Sequence, residues 1–278
     1  MTNKTVVFIL AHNYSGSTWL SLLLGSHSEA FYLGELNKFY SRSDPMNCAL
    51  CDMLKQRCPY FFDVHNHHPR DIHAVIFQRT GKRLLVDNSK RIKWARKFQG
   101  EDRYQIRYIH LIKDPRAIYY SLLVRNRPAT LDKWIRRNLE IQEFIRASGR
   151  PAIVVPYNQL AGDLDRTLPA ICRWLGLEFE PEQKNYWQFE HHGPGKNGAT
   201  AAFVAGGNGQ EMEFYQKNFQ RNFLDLRWKE KLPQEVIQRI EADPQVREVL
   251  VRLQLHFTDQ GIEAARGSIL AGETEVGR

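Results

Sequence analysis

The chain has 278 residues, with 39 Lys and Arg against 31 Asp and Glu, and a formal net charge of +8. Apolar residues make up 42% and charged residues 25%, which excludes a disordered or low-complexity chain and allows a substantial core. No apolar run reaches the ~18 residues of a membrane span, and the basic excess comes without an RNP-like aromatic motif, a helix-turn-helix or a long Lys/Arg block, so a small anionic ligand is expected and nucleic acid is not.

The N-terminal MTNKTVV enters a strand directly, without the basic-then-apolar layout of a secretory signal, and a cytoplasmic chain is expected. Val6 to Leu10 is continuously apolar, the pattern of a buried parallel strand over 5–10. Ser15-Gly16-Ser17-Thr18 then turns the chain into an apolar helix over 17–26. Backbone N–H groups converge at such a helix start, the helix dipole adds positive potential, and the Ser and Thr hydroxyls add donors, so the turn is suited to an anion. Laid over the Walker pattern GxxxxGK[ST], Gly16 and Thr18 coincide, but Ala11 replaces the first glycine and Ser17 the lysine. A magnesium-bound triphosphate fits poorly without that lysine; a nucleotide with a single short 5′ group fits better. Taken alone, the segment also reads as a Ser/Thr-capped core helix.

Phe31-Tyr32-Leu33 is a short strand that leads into Gly34-Glu35. Residues 36–80, rich in Cys, His, Pro and aromatics, read as an inserted cap. Within it Cys48, Cys51 and Cys58 are spaced CxxC-x6-C and are followed by His65, His67 and His68. Three Cys and one His make a legitimate zinc set, but the second half lacks paired spacing, so free thiols or packing residues are expected and no metal is assigned. Further strands are expected over 83–87, 106–112 and 152–155, and helices over 89–99, 115–126, 131–148, 163–175 and from 233 towards 254. This alternation argues for an α/β fold with a parallel sheet and right-handed crossovers.

The strand over 106–112 ends at Asp114-Pro115, a helix cap followed by a proline suited to the first helical turn. Lys113 and Arg116 stand at its carboxyl end, Ser121 lies about two turns into the next helix, and Arg125 one turn further. Ligands of open α/β sheets bind at the carboxyl ends of strands, so two strand ends, one an anion cradle and one cationic, suit two phosphates of one nucleotide. His110, inside an apolar strand, and Cys172, on an apolar helix face, read as core residues.

These paired segments resemble the sulfotransferases that use 3′-phosphoadenosine 5′-phosphosulfate (PAPS), over roughly residues 5–235. The first resembles that family's 5′-phosphosulfate loop and the second its 3′-phosphate motif. Gly34-Glu35, Val86-Asp87-Asn88-Ser89-Lys90 and Val155-Pro156-Tyr157-Asn158-Gln159-Leu160 are further echoes. The resemblance implies a P-loop NTPase-like sulfotransferase fold, a parallel sheet flanked by helices in one domain over 1–257, with the Cys/His-rich cap at 36–80, a glycine-rich loop at 191–210 and a flexible tail over 258–278. It implies PAPS as donor and 3′,5′-adenosine bisphosphate (PAP) as product, no required metal, and transfer to a hydroxyl, or alternatively an amine, of a small-molecule or glycan acceptor such as a carbohydrate, glycolipid or natural product.

The resemblance also assigns residues. Tyr14, Ser15, Gly16, Ser17, Thr18 and Trp19 would hold the 5′ end; Lys113, Ser121 and Arg125 the 3′-phosphate. Arg116 either joins that phosphate or pairs with Asp114, and Lys196 would close over the nucleotide. Glu35 matches a catalytic base whose pKa is expected to be raised by partial burial, Lys90 a catalytic lysine, and His12 is an alternative base. Tyr32, Phe39, Tyr40 and Trp187 are candidates to line the acceptor site, with Tyr14. Two positions depart from the family: Tyr14 stands where many members carry Arg or Lys, so another group must compensate or turnover is modest, and Lys113 replaces the usual Arg. The rival readings are a divergent P-loop kinase or NTPase, with Asp87 as the nearest Walker-B acid, and a nucleotide-binding module without turnover.

Overall fold

The computed structural model describes residues 3–40, 48–194 and 224–264. The first elements in chain order are β1 (Thr5–Ala11), α1 (Ser17–Gly25), β2 (Ala30–Gly34), α2 (Ala49–Met53), α3 (Ile72–Thr80), β3 (Leu84–Lys90) and α4 (Ile92–Ala95). There follow β4 (Gln105–Ile112), α5 (Pro115–Val124), α6 (Asp132–Ser148), β5 (Ala152–Pro156), α7 (Tyr157–Gly162) and α8 (Leu164–Trp174). The five strands form one sheet in the order β2-β3-β1-β4-β5. β2 runs parallel to β3, from Ala30 beside Leu84 to Gly34 beside Asp87, and β4 parallel to β5, from Tyr108 beside Ala152 to Ile112 beside Pro156. β1, β2 and β5 are buried at every residue, which is why their sequences are apolar runs without alternation: helices cover both faces of such a sheet.

The described residues fall into two compact units, one of 3–9, 17–107 and 179–194, the other of 10–16, 108–178 and 224–264. In the first, α1 buries Leu20, Leu22, Leu23 and Leu24 and so needs no polar stripe. Phe8 packs against the rings of His73 and Phe98, each at 5.5 Å. The helix expected over 89–99 starts late, because β3 continues through Asp87-Asn88-Ser89 to Lys90. Those polar residues tolerate burial because Asp87 accepts from Trp94 Nε1 at 2.8 Å and from the Ser89 amide at 2.8 Å, and meets His73 Nε2 at 3.1 Å. Asp87 is therefore a structural acid held by neighbouring side chains. The 36–80 insertion carries α2, α3 and an aromatic core in which Phe39, fully buried, meets Phe61 at 4.9 Å.

In the second unit a single apolar cluster joins Ile112, Ile118, Trp134, Val154, Val249 and Leu250. The helix expected from 233 towards 254 is two helices, Gln234–Ala242 and Pro244–Arg252. Pro244 has no N–H to give and forces extended backbone at Asp243, whose carboxylate caps the second helix through the amides of Gln245 and Val246. At the start of the tail expected to fray from 258, Leu255–Thr258 and Gly261–Ala264 pair as an antiparallel hairpin, with Ile262 fully buried. Among the described residues, no helix is long and apolar enough to cross a membrane.

Candidate functional site

The chain leaves β1 through a loop whose backbone is left-handed twice, at Tyr14 (φ +65°) and at Gly16 (φ +81°). A Cβ on Gly16 would lie 2.2 Å from the ring of Tyr157, so no other side chain fits there without displacing that ring. Ser15 is buried, and its Oγ has no hydrogen-bond partner among the described residues. A buried hydroxyl left unsatisfied costs free energy unless something binds it, which suits an anion at the loop. Ser17, Thr18 and Trp19 open α1, and the Thr18 carbonyl accepts from Ser21 Oγ at 2.8 Å.

Tyr157 begins α7 at the carboxyl end of β5. The Nζ of Lys113, which follows β4, lies 5.0 Å from the centre of the same ring, a cation–π distance. One aromatic side chain thus has Gly16 of the loop on one side and the cation of the second motif within reach. Lys113 is buried and donates to Asp225 Oδ2 at 2.9 Å, and Arg227 donates to Asp225 Oδ1 at 2.8 Å. Burial pushes the Lys113 ammonium down, and Asp225 offsets part of this. Burial would push Asp225 up, but Arg227 and Lys113 hold it below the usual carboxylate range.

Arg125 places its guanidinium carbon 4.7 Å from the centre of the Tyr14 ring. A cation from the end of the helix that follows β4 thus lies beside the loop. Ser121 is buried in that helix. Of the two expectations for Arg116, the structure shows the pair with Asp114. Arg116 meets Asp114 at 2.6 Å, pairs with Glu241, and donates to the carbonyls of Thr258 and Gly261 at 3.1 and 2.9 Å. These contacts leave the guanidinium buried and saturated, tying the C-terminal hairpin to α5. His12 contacts the Asn13 carbonyl through Nδ1 at 2.7 Å; burial lowers its pKa, with Arg137 and Lys133 adding to the effect.

In the other unit, Lys90 Nζ donates to Glu35 Oε1 at 2.7 Å, and Lys38 lies 3.2 Å from Oε2. Lys90 itself has left-handed backbone (φ +59°), an uncommon state for a side-chain-bearing residue and one that clusters at functional sites. Burial pushes the Glu35 carboxyl up, but Lys90 and Lys38 together outweigh it and hold the group below its ordinary value. The raised pKa expected from burial is therefore corrected to a lowered one. Ser89 donates to Asp87 and accepts from the Asn37 amide at 3.1 Å, fixing the turn after Glu35 onto the end of β3 rather than capping a helix.

Of the expected acceptor-lining residues, Phe39 is core, Tyr40 stacks on Trp94 at 5.5 Å and Tyr32 meets His191 at 5.4 Å. Lys196, and the glycine-rich loop from 195 onward, lie outside the described residues. Cys48, Cys51 and Cys58 do converge, but their histidine is His192 and none of His65, His67 or His68. Sequence reading named Tyr157 only within a family echo, did not join His192 to the cysteines and missed Asp225. Tyr157 carried a signal, a side chain placed directly after an apolar strand; Asp225 carried none.

The model of the sulfotransferase family matches residues 6–181. The chain belongs to the sulfotransferase family. No curated protein sequence matches it. Among solved structures it is similar to the sulfotransferase domain from the curacin biosynthetic pathway, at 18% identity and a TM-score of 0.61 over 90% of this chain and 97% of that one. It is also similar to the sulfotransferase domain from the Synechococcus PCC 7002 olefin synthase, at 20% identity and a TM-score of 0.53 over 78% of this chain and 94% of that one. At such identities the likeness is one of fold, and it fits the mainly parallel sheet with flanking helices described above.

Proposed function

We propose that this sulfotransferase moves the sulfuryl group of PAPS to a hydroxyl of a small-molecule or glycan acceptor and releases PAP. The observation that carries the reading is the Tyr157 ring, which lies against Gly16 of the loop and 5.0 Å from Lys113 Nζ. It puts Gly16 and Lys113 within reach of a single aromatic side chain, as a nucleotide with phosphate on both its 5′ and 3′ sides requires.

The loop amides from Ser15 to Thr18 and the Ser15 hydroxyl hold the 5′-phosphosulfate, with Arg125 adding charge beside Tyr14. Lys113 and Ser121 hold the 3′-phosphate. Lys113 exchanges part of its contact with Asp225 for the phosphate, so the buried ammonium is never without an anion. Sulfuryl transfer resembles phosphoryl transfer in being an in-line displacement governed by positioning and charge stabilisation. The acceptor oxygen bonds to sulfur while the bond from sulfur to the 5′-phosphate oxygen breaks and its electron pair leaves on that oxygen. Glu35, ionised in its pairing with Lys90, takes the acceptor proton. Lys90 shifts towards the oxygen that gains charge. As it leaves Glu35, the carboxylate becomes more basic at the moment a base is needed.

Calorimetric titration with PAP, 5′-AMP and Mg-ATP tests the donor assignment. Tight binding that depends on the 3′-phosphate, and that weakens in Ser121→Ala and Lys113→Ala, supports it. Equal binding of all three, or preference for Mg-ATP, overturns it in favour of a P-loop kinase or NTPase.

A further inference from the structure

Cys48, Cys51 and Cys58 form no disulfide with one another, each is fully buried, and their sulfurs surround one nitrogen. His192 Nδ1 lies 3.4 Å from Cys48 Sγ, 3.5 Å from Cys51 Sγ and 3.7 Å from Cys58 Sγ, and all four atoms fall within 4.8 Å of one another. Zinc bonds of about 2.3 Å to sulfur and about 2.0 Å to nitrogen, at tetrahedral angles, put a nitrogen about 3.5 Å from each sulfur. The three measured separations sit on that value. A neutral imidazole nitrogen accepts one proton, so a hydrogen bond to His192 accounts for one of the three short sulfur contacts.

The surroundings suit charged ligands. Cys48 Sγ accepts the Cys51 amide at 3.2 Å while capping α2, and Gln56 Nε2 lies 3.8 Å from Cys51 Sγ. The other ring nitrogen of His192 faces the Glu190 carboxylate at 3.6 Å. A carboxylate there favours a proton on Nε2 and leaves the Nδ1 lone pair for a metal. Phe31 stacks on the ring at 6.2 Å and Tyr60 meets it edge-on at 4.8 Å, holding its orientation.

We propose that Cys48, Cys51, Cys58 and His192 bind one zinc ion in a closed four-ligand site that clips the cap insertion to the segment entering the glycine-rich loop. Four protein ligands leave no open position, so the ion is structural. What it holds bears on Glu35. The Ala49 amide donates to the Gly193 carbonyl at 2.8 Å, and Cys48 forms an isolated bridge with Pro194. Gly193 and Pro194 in turn crowd Gly34: a Cβ there would meet Pro194 Cδ at 3.2 Å and Gly193 Cα at 3.3 Å. The clip thus seats residues 192–194 against the residue before Glu35 and fixes the end of β2.

Metal analysis of the full chain, with cobalt(II) substitution of the chelator-treated protein, tests this. About one zinc per chain is expected, with cobalt giving a thiolate charge-transfer band and the intense visible bands of tetrahedral coordination. His192→Ala and Cys58→Ser are expected to weaken zinc binding by more than about 100-fold, beyond the 10–100-fold typical of outer-shell partners, whereas His65→Ala and His68→Ala leave it unchanged. If Cys58→Ser does not fold, the cobalt spectrum of the unaltered chain and the His192→Ala affinity still decide. A folded chain that takes up no cobalt, a spectrum without thiolate bands, or undiminished affinity in His192→Ala overturns the proposal.

Discussion

Lys90 Nζ and Glu35 Oε1 are joined at 2.7 Å, so the candidate base is held as an anion by the candidate acid-side cation. The carboxyl lies below its ordinary value because Lys90 and Lys38 overcome the upward push of burial. Its ionised form is therefore present down to pH values below the usual glutamate range, and the acid limb of a pH–rate profile belongs there. Lys90→Ala removes the larger downward influence while burial remains. The acid limb is then expected to move up in pH as the maximal rate falls. Glu35→Gln is expected to lower the rate of sulfuryl transfer by about 100- to 10,000-fold, the range for a lost general base, with PAP affinity little changed. A rate within a factor of a few of the unaltered enzyme removes Glu35 from the chemistry.

Arg125 lies over the Tyr14 ring, beside the loop. Arg125→Ala is expected to weaken PAPS binding by about tenfold, as for loss of one partly solvated charge contact. Tyr14→Arg placed in the Arg125→Ala background returns a cation to the loop from the position where family members carry it, and is expected to recover most of that loss. Calorimetry on the four proteins of this cycle measures the coupling. If Arg125→Ala binds PAPS normally, the stacked pair is a surface contact without a part in the site.

Gly16 and Gly100 share the same left-handed backbone, φ +81°, but a Cβ at Gly16 meets Tyr157 at 2.2 Å, while one at Gly100 meets nothing within 4 Å. Gly100→Ala should cost only the backbone conformation, about 1–2 kcal/mol of stability. Gly16→Ala adds a collision that must move the loop or the Tyr157 ring, and with it the surroundings of Lys113. The expected result is a similar or somewhat larger stability loss but a much larger loss of PAP affinity in Gly16→Ala. Thermal unfolding and calorimetry separate the two. Equal PAP affinity in both variants shows that the tight packing does not matter for the nucleotide.

The sequence carried the sheet because its strands are buried on both faces and read as apolar runs, and it carried the turn from β1 into α1 because that turn is local. It misjudged β3, where Asp87, Asn88 and Ser89 look like a strand's end; only the distant His73 and the Trp94 indole make them tolerable inside. For Arg116 the Asp114 pair was legible beside the phosphate reading, but its further partners Glu241, Thr258 and Gly261 are far along the chain. The cysteines were visible as a group, but the histidine they surround stands 134 positions beyond Cys58, past six nearer histidines. In each case the missing information was a long-range side-chain contact, which spacing does not encode.

His110 was legible as a core histidine, and its burial has a consequence for acid stability. Its Nε2 lies 2.8 Å from Asn138 Oδ1, and burial lowers its pKa from 6.5 to about 4, against the smaller upward pull of Asn138. The unfolded chain therefore binds a proton near pH 6.5 that the folded chain refuses until about pH 4. Stability from this group is complete above the unfolded value and is lost as the pH falls through that window. The loss is on the order of 2 kcal/mol by pH ~4.5. His110→Gln keeps an N–H for Asn138 and does not titrate. Denaturant unfolding at neutral and mildly acid pH is expected to show a shallower decline in His110→Gln than in the unaltered protein. Parallel declines would mean that His110 is protonated in the fold, and that Asn138 accepts from a charged ring.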